Sequence, residues 1–132
     1  MMKVLVAAFA CIAIAPVWAE DTPPGIEEIM KKANGKKAGL HSKLKEGLNA
    51  KSPEWDKLAK NAEEYKKLIE FLGKNNPPKG EKSSWTKMTD HYKENAGKVN
   101  DAVGKKDKAA AMKALGAIDK SCAECHKAHR ES

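Results

Sequence analysis

Aromatic residues are scarce in this sequence, and their scarcity bears on the fold class. They make up 5% of the 132 residues. Because strands favour aromatic and β-branched side chains, so few of them argue against a β-rich fold. Alanine, lysine, glutamate and leucine, which favour helix, are abundant instead. The composition therefore predicts an all-α protein, and the length is that of a single domain.

Arginine is nearly absent as well. Arg130 is the only one, although the formal net charge is +7. Proteins that bind nucleic acid generally use arginine and carry a dense basic stretch, whereas the lysines here are spread along the chain among acidic residues. We therefore expect no nucleic-acid partner. The charge indicates a solvated surface, with long-range attraction of an acidic protein partner as the functional alternative.

The sequence has no apolar run long enough to cross a bilayer, for which about 20 residues are needed. The longest such run, residues 4–15, follows Lys3 and ends at Pro16. Val17-Trp18-Ala19 then resembles a cleavage site. We predict that residues 1–19 are a cleavable signal peptide, that residues 20–132 form the exported domain, and that this domain resides in the periplasm. A lipoprotein signal ending at Cys11 is the alternative, although the preceding residues match it poorly.

Cysteine is also rare, and its distribution is informative. Once Cys11 is assigned to the signal peptide, the remaining two cysteines lie in the run Cys122-Ala123-Glu124-Cys125-His126. C-x-x-C-H is the pattern by which a c-type haem is attached, with both thiols forming thioethers and the histidine serving as proximal iron ligand. Residues three and four apart share one side of a helix. The motif therefore predicts one covalently attached haem c.

Two other interpretations of the motif are weaker. A redox or structural disulfide between Cys122 and Cys125 is typical of a pair that follows a strand and opens a helix, whereas this pair lies near the end of a helical pattern. A zinc site would add His126 and His129. Four ligands within eight residues of one helix cannot surround a tetrahedral metal, because zinc sites draw on two separated pairs.

Apolar residues recur with the helical period in four stretches. We expect the first helix to run from Pro23 and Pro24 to about Asn49, weakened by Gly35 and Gly39, and the others to span about 52–72, 84–104 and 107–130. Ser52, Ser84 and Asp107 are the predicted N-caps. Four amphipathic helices with mostly short connections predict an antiparallel, up-down-up-down four-helix bundle.

In such a bundle the start of the first helix lies beside the end of the fourth, where His126 stands, and this restricts the second axial ligand. Met112 is roughly 21 Å away along the helix axis, and His129 shares a helix with His126. His91 is expected to face solvent, and His41 lies roughly 16 Å beyond Met30. Met30, Met88 or an open position remain.

The chain resembles the class II cytochromes c, the family of cytochromes c′ and c-556. The resemblance rests on the haem motif followed by Arg130, on Trp85 after a loop with glycine and proline, and on residues 29–35 early in the first helix. In the c-556 branch a methionine of the first helix ligates the iron, and Met30 stands at that place. The resemblance further implies that Arg130 pairs with a haem propionate and that Trp85 borders the cofactor. His129 stands where the family often has an aromatic residue.

These observations predict a monohaem one-electron carrier with His126 and Met30 on the iron. No Ser/His/Asp arrangement, paired catalytic carboxylates or phosphate loop stands out, so we expect no enzymatic activity of its own. A five-coordinate c′-type protein that binds NO or CO is the alternative. The expected partners are redox proteins, acidic if charge steers them, and the protein is expected to be a monomer or a homodimer.

Overall fold

The computed structural model describes residues 23–130, which form five α-helices and no strand. This confirms the all-α prediction for that range, whereas the predicted signal peptide lies outside the described residues. The helices are α1 (Ile26–Asn34), α2 (Leu40–Asn49), α3 (Trp55–Leu72), α4 (Lys82–Gly104) and α5 (Lys108–His129).

The single first helix expected over residues 23–49 is two helices, which corrects the sequence-based prediction. The break lies between Gly35 and Gly39, where the amide of Gly39 donates to the carbonyl of Gly35 at 3.0 Å. A Cβ on Gly39 would lie 2.4 Å from backbone atoms of Gly35. The two glycines thus permit a close backbone approach that a side chain at Gly39 would block. As a result of the break, Met30 lies on α1 and His41 on α2.

The helix ends agree with the prediction at one cap and differ at two. Asp107 caps α5 as predicted, since its side chain accepts a hydrogen bond from the amide of Ala110 at 3.0 Å. Ser52 and Ser84 are not caps: α3 and α4 have Glu54 and Glu81 at their N-caps, without a side-chain bond. Ser84 lies inside the first turn of α4, where its hydroxyl has a distant partner.

The helices pack around one apolar core. The most extensive contacts join α4 to α3 and to α5, and α2 contacts both α3 and α5. α1 packs on α2 and α3 but makes no comparably close backbone contact with α5. The largest fully buried apolar side chains are Tyr65, Ile29, Leu44, Leu48, Ile69, Leu72, Leu115, Ile118, Val99 and Val103.

Within residues 23–130 no helix has the length and apolar character needed to cross a membrane.

Candidate functional site

A small pocket of about 20 Å³ lies where α1, α3, α4 and α5 converge, and its lining gathers the sequence-predicted ligands. Its lining residues are Met30, Asn34, Leu72, Met88, Thr89, Tyr92, Ser121, Cys122, Cys125 and His126. All three residues of the C-x-x-C-H motif and both candidate methionines therefore meet at one place, although they come from three helices.

Cys122 and Cys125 are free thiols in this structure. Both are half-buried and pack against the edge of the core. Burial raises the pKa of both thiols, and the Asp119 carboxylate adds to this effect at Cys122. Neutral thiols on one side of a helix, three residues apart, are the groups that a covalently held macrocycle needs.

His126 differs from the other histidines in having an uncommitted imidazole. It is exposed on the last turns of α5 and borders the pocket. Within the described chain its ring makes no hydrogen bond, whereas the rings of His41, His91 and His129 each have at least one side-chain or backbone partner. A histidine that must bind a metal through one nitrogen needs that nitrogen free, and His126 meets this requirement.

The candidates for the second iron ligand fall into those that line the pocket and those that do not. Met30 and Met88 both line the pocket, whereas Met112, His41 and His91 do not. His91 is exposed, as expected. The sulfur of Met30 accepts a hydrogen bond from Nδ2 of Asn34, four residues further along α1, at 3.4 Å. This contact fixes the Met30 side chain from one direction.

His129 does not line the pocket but closes a tertiary contact that we call the C-terminal clasp. Its Nδ1 lies 2.8 Å from the carbonyl of Lys79 and its Nε2 lies 3.1 Å from the hydroxyl of Ser84. Its ring meets Trp85 edge-on at 5.4 Å between centroids. The clasp consists of these four residues, and it ties the end of α5 to the loop before α4 and to the first turn of α4.

Trp85 and Arg130, expected near the cofactor, lie outside this pocket lining. Trp85 is buried, and its indole Nε1 donates to the carbonyl of Asn75 at 2.7 Å. Arg130 is exposed at the C-cap of α5. His129 is committed to the clasp, and among residues 23–130 no three His, Cys, Asp or Glu side chains converge in a way that could hold a metal.

A row of buried hydrogen bonds, which we call the polar chain, leads from the pocket to the surface. Tyr92 donates to Oδ1 of Asn34 at 3.0 Å, and the two tyrosine hydroxyls of Tyr92 and Tyr65 lie 2.8 Å apart. The Tyr65 hydroxyl is 2.8 Å from Nδ1 of His41. Nε2 of His41 is 2.8 Å from Oδ1 of Asp119. The polar chain thus joins all five helices of the described chain through their side chains.

The surface end of the polar chain is charged, whereas its centre is neutral. Lys45 donates to the second oxygen of Asp119, and together with His41 it lowers the pKa of that carboxyl despite partial burial. Burial lowers the pKa of His41, and the Asp119 carboxylate opposes this effect. Burial raises the pKa of Tyr65 and Tyr92 far above any physiological value, so both hydroxyls keep their protons.

Sequence patterns did not reveal the role of Asn34 or the polar chain, although both tyrosines lie on the buried faces of their helices. A tyrosine on the apolar face of a helix needs a partner for its hydroxyl. The chain has only two tyrosines, and both occupy such positions, so their hydroxyls indicated buried polar partners. Asn34 lies four residues after Met30, the spacing at which two helical side chains meet.

Comparison with known proteins adds no further assignment. The sequence matches no protein-family model, no curated protein and no solved structure. The function therefore has to be argued from the residues of the site.

Proposed function

We propose that this protein is an exported monohaem cytochrome of the class II c type that carries single electrons. Cys122 and Cys125 would hold haem c through thioethers, His126 would bind the iron as proximal ligand, and Met30 would complete the coordination. The observation that carries this proposal is the convergence of these four residues on one pocket between α1 and α5.

The donor set fits the group. Two free thiols and an uncommitted imidazole lie within five residues of α5, in the order that haem attachment requires. A thioether sulfur on α1 borders the same pocket. Histidine with methionine is the ligand pair of electron-carrying cytochromes and gives a higher potential than two histidines. Haem c, once bound, supplies the one-electron couple, and the protein supplies its ligands, its apolar surroundings and its shielding from water.

The fold supports a bundle interpretation. We infer that α1 and α2 together take the place of one bundle helix, with α3, α4 and α5 as the other three in an antiparallel, up-down-up-down order. The contacts of α3 with α4 and of α4 with α5 join neighbours along the chain, and α2 with α5 closes the ring. The connections from α2 to α3 and from α4 to α5 are short, as this topology requires.

Met30 is the better second ligand than Met88 for a structural reason. The sulfur of Met30 already accepts from Asn34, and a thioether sulfur has a second lone pair for a metal. α4, which carries Met88, packs directly against α5, whereas α1 makes no comparably close backbone contact with α5, so Met30 would reach the bound group from a helix that leaves room between itself and His126. The same resemblance that favours Met30 implies that Arg130 and Trp85 lie near the haem edge, and this remains part of the proposal.

Export, partners and assembly complete the proposal. The predicted signal peptide of residues 1–19 would deliver the chain to the periplasm, where thiols and haem are joined. A net charge of +7 would steer acidic redox partners by long-range attraction. The protein would act as a monomer or a homodimer, and it would not be an enzyme in its own right.

The first experiment is the optical spectrum of the exported protein, oxidised and reduced, with and without CO, together with its intact mass. We expect covalent haem, a low-spin spectrum with a methionine–iron charge-transfer band, and no response to CO. Met30→Ala should abolish that band, whereas Met88→Ala, the matched control from the same pocket, should keep it.

The other outcomes each contradict a stated part. A high-spin spectrum that shifts with CO would make the protein a c′-type gas binder. Loss of the band in Met88→Ala alone would move the ligand to α4. A mature mass without haem, two units short of the reduced chain, would indicate a Cys122–Cys125 disulfide and end the cytochrome interpretation.

A further inference from the structure

The polar chain connects the proposed ligand Met30 to the protein surface without interruption. Its inner end is Asn34, whose Nδ2 donates to the Met30 sulfur at 3.4 Å and whose Oδ1 accepts from Tyr92 at 3.0 Å. Its outer end is Asp119, whose side chain is 42% exposed. Through these hydrogen bonds, the protonation of groups near the Asp119 carboxylate can affect which atom faces the Met30 sulfur.

Counting protons along the polar chain shows that this arrangement is one short when His41 is neutral. Four contacts need a proton each: Asp119 with His41, His41 with Tyr65, Tyr65 with Tyr92, and Tyr92 with Asn34. An ionised carboxylate and an amide oxygen, at the two ends, only accept. A neutral imidazole and two hydroxyls supply three protons, so two acceptors would face each other at one of the four contacts, which is unfavourable.

Two states of the polar chain satisfy all four contacts. In the first, His41 is an imidazolium and donates from both nitrogens, each tyrosine donates toward Asn34, and Asn34 keeps Nδ2 on the sulfur. In the second, His41 is neutral, the amide of Asn34 is rotated by half a turn, and Nδ2 donates to Tyr92. Both tyrosines then donate toward His41, and Oδ1 of Asn34 faces the sulfur of Met30. The two amide orientations have nearly the same shape.

We propose that Asn34 is a positioning residue for the Met30 ligand, and that the proton on His41 decides which atom of its amide faces the sulfur. The three inner hydrogen bonds of the polar chain reverse when His41 gains or loses this proton, whereas His41 donates to Asp119 in both states. The inference deepens the proposed function and rests on it, because its effect on the iron requires Met30 as a ligand.

The two states should favour different oxidation states. An N–H donor on the sulfur withdraws electron density and favours ferrous iron, whereas a carbonyl oxygen facing the sulfur favours ferric iron. The positive charge of protonated His41 acts in the same direction as the N–H donor. Reduction by one electron from a donor protein would therefore be accompanied by a higher proton occupancy of His41, with the proton supplied by water.

The groups around His41 define the pH range. Asp119 of α5 and Tyr65 of α3 contact it, Lys45 of its own helix pairs with Asp119, and Tyr92 of α4 is the next group inward. Burial lowers the pKa of His41 and Asp119 opposes this, so the change of state is expected below the ordinary histidine value of about 6.5. The potential should rise as the pH falls through this range.

The test measures the midpoint potential of the haem-loaded protein against pH, with the ring ¹⁵N shifts of His41 followed in the ferrous protein. We expect His41 to bind protons about threefold to tenfold more tightly in the ferrous state, and a tenfold difference corresponds to about 59 mV. His41→Gln should flatten the dependence. His91→Gln, which removes an exposed histidine that is not part of the polar chain, should leave it unchanged.

Tyr92→Phe distinguishes the reversal from simple charge repulsion, because it keeps His41 and the ring but removes one hydroxyl. We expect it to reduce the dependence to the part that the charge of His41 contributes by itself, whereas His41→Gln removes both parts. A slope in Tyr92→Phe as large as that of the wild type, a wild-type potential that is flat below pH 6.5, or His41 neutral throughout would each overturn the inference while the low-spin spectrum upholds the proposed function. A high-spin or haem-free protein would instead overturn the proposed function and this inference with it.

Discussion

The last helix carries two histidines three residues apart, and the regions around them differ in kind. His126 is exposed, borders a pocket lined by two thiols and two thioethers, and has an uncommitted ring within the described chain. His129 is 2% exposed, has a partner at each ring nitrogen and packs on Trp85. The comparison teaches that the hydrogen bonds a histidine makes, rather than its spacing from a cysteine, separate a candidate ligand from a structural residue.

The largest expected effect is the loss of haem when the pocket around His126 loses its thiols. Replacing both cysteines, Cys122→Ser with Cys125→Ser, should abolish covalent haem, since no thiol remains to form a thioether. Intact mass and the absorbance of the purified protein measure this. Ser121→Ala, a neighbouring change in the same pocket lining, is the control and should keep the haem. Covalent haem in the double variant would contradict the assignment.

The second prediction concerns the ligand itself. His126→Ala should retain a thioether-linked haem but lose the low-spin spectrum, because the proximal nitrogen is gone while both cysteines remain. The change should be read from the optical spectrum, and added imidazole should restore a low-spin state. An unchanged spectrum would show that another residue binds the iron.

On the clasp side the expected effect is one of stability. His129→Leu should leave the spectrum unchanged but lower the free energy of unfolding by about 1–3 kcal/mol, because the carbonyl of Lys79 and the hydroxyl of Ser84 lose their partner. Urea unfolding of the haem-loaded protein measures the loss. A changed spectrum with unchanged stability would reverse the roles that the structure assigns to His126 and His129.

The smallest expected effect on stability comes from a change beside the clasp that replaces neither histidine. Gly80 has a φ of +82°, and a Cβ there would lie 2.7 Å from the carbonyl oxygen of Ala128 and 2.8 Å from Nδ1 of His129. Gly80→Ala should lower the free energy of unfolding by about 1–2 kcal/mol. Gly97→Ala, in the interior of α4 with open space around it, should instead be neutral or stabilising by up to about 1 kcal/mol. Equal effects of the two changes, measured by urea unfolding, would remove the special role of Gly80.

The sequence predicted those features that local spacing determines. Helical periodicity located the apolar stripes of α3, α4 and α5, and an aspartate just before α5 predicted the cap at Asp107. Antiparallel packing, assumed from connection lengths, was enough to predict that Met30 and Met88 would be the methionines nearest His126, and both line the pocket.

Features that depend on distant partners were not predicted. Serine is a favoured N-cap residue, yet the hydroxyl of Ser84 is hydrogen-bonded to His129, 45 residues away. His41 finds Asp119 across 78 residues. The glycines at 35 and 39 indicated a weak helix, but whether the helix bends, frays or breaks depends on what α2 packs against. Periodicity records which side of a helix is apolar and contains no information on such pairings.

The break between α1 and α2 has a consequence for how the protein opens. Because α1 ends at Asn34 and α2 begins only at Leu40, α1 can unfold without drawing α2 with it, and its nine residues are too few to be stable alone. Amide hydrogen exchange should therefore be faster throughout α1 than at Leu44 and Leu48 of α2, which are fully buried. The segment that brings Met30 to the pocket would then be a cooperative unit of its own, able to leave and return while the rest of the molecule stays folded.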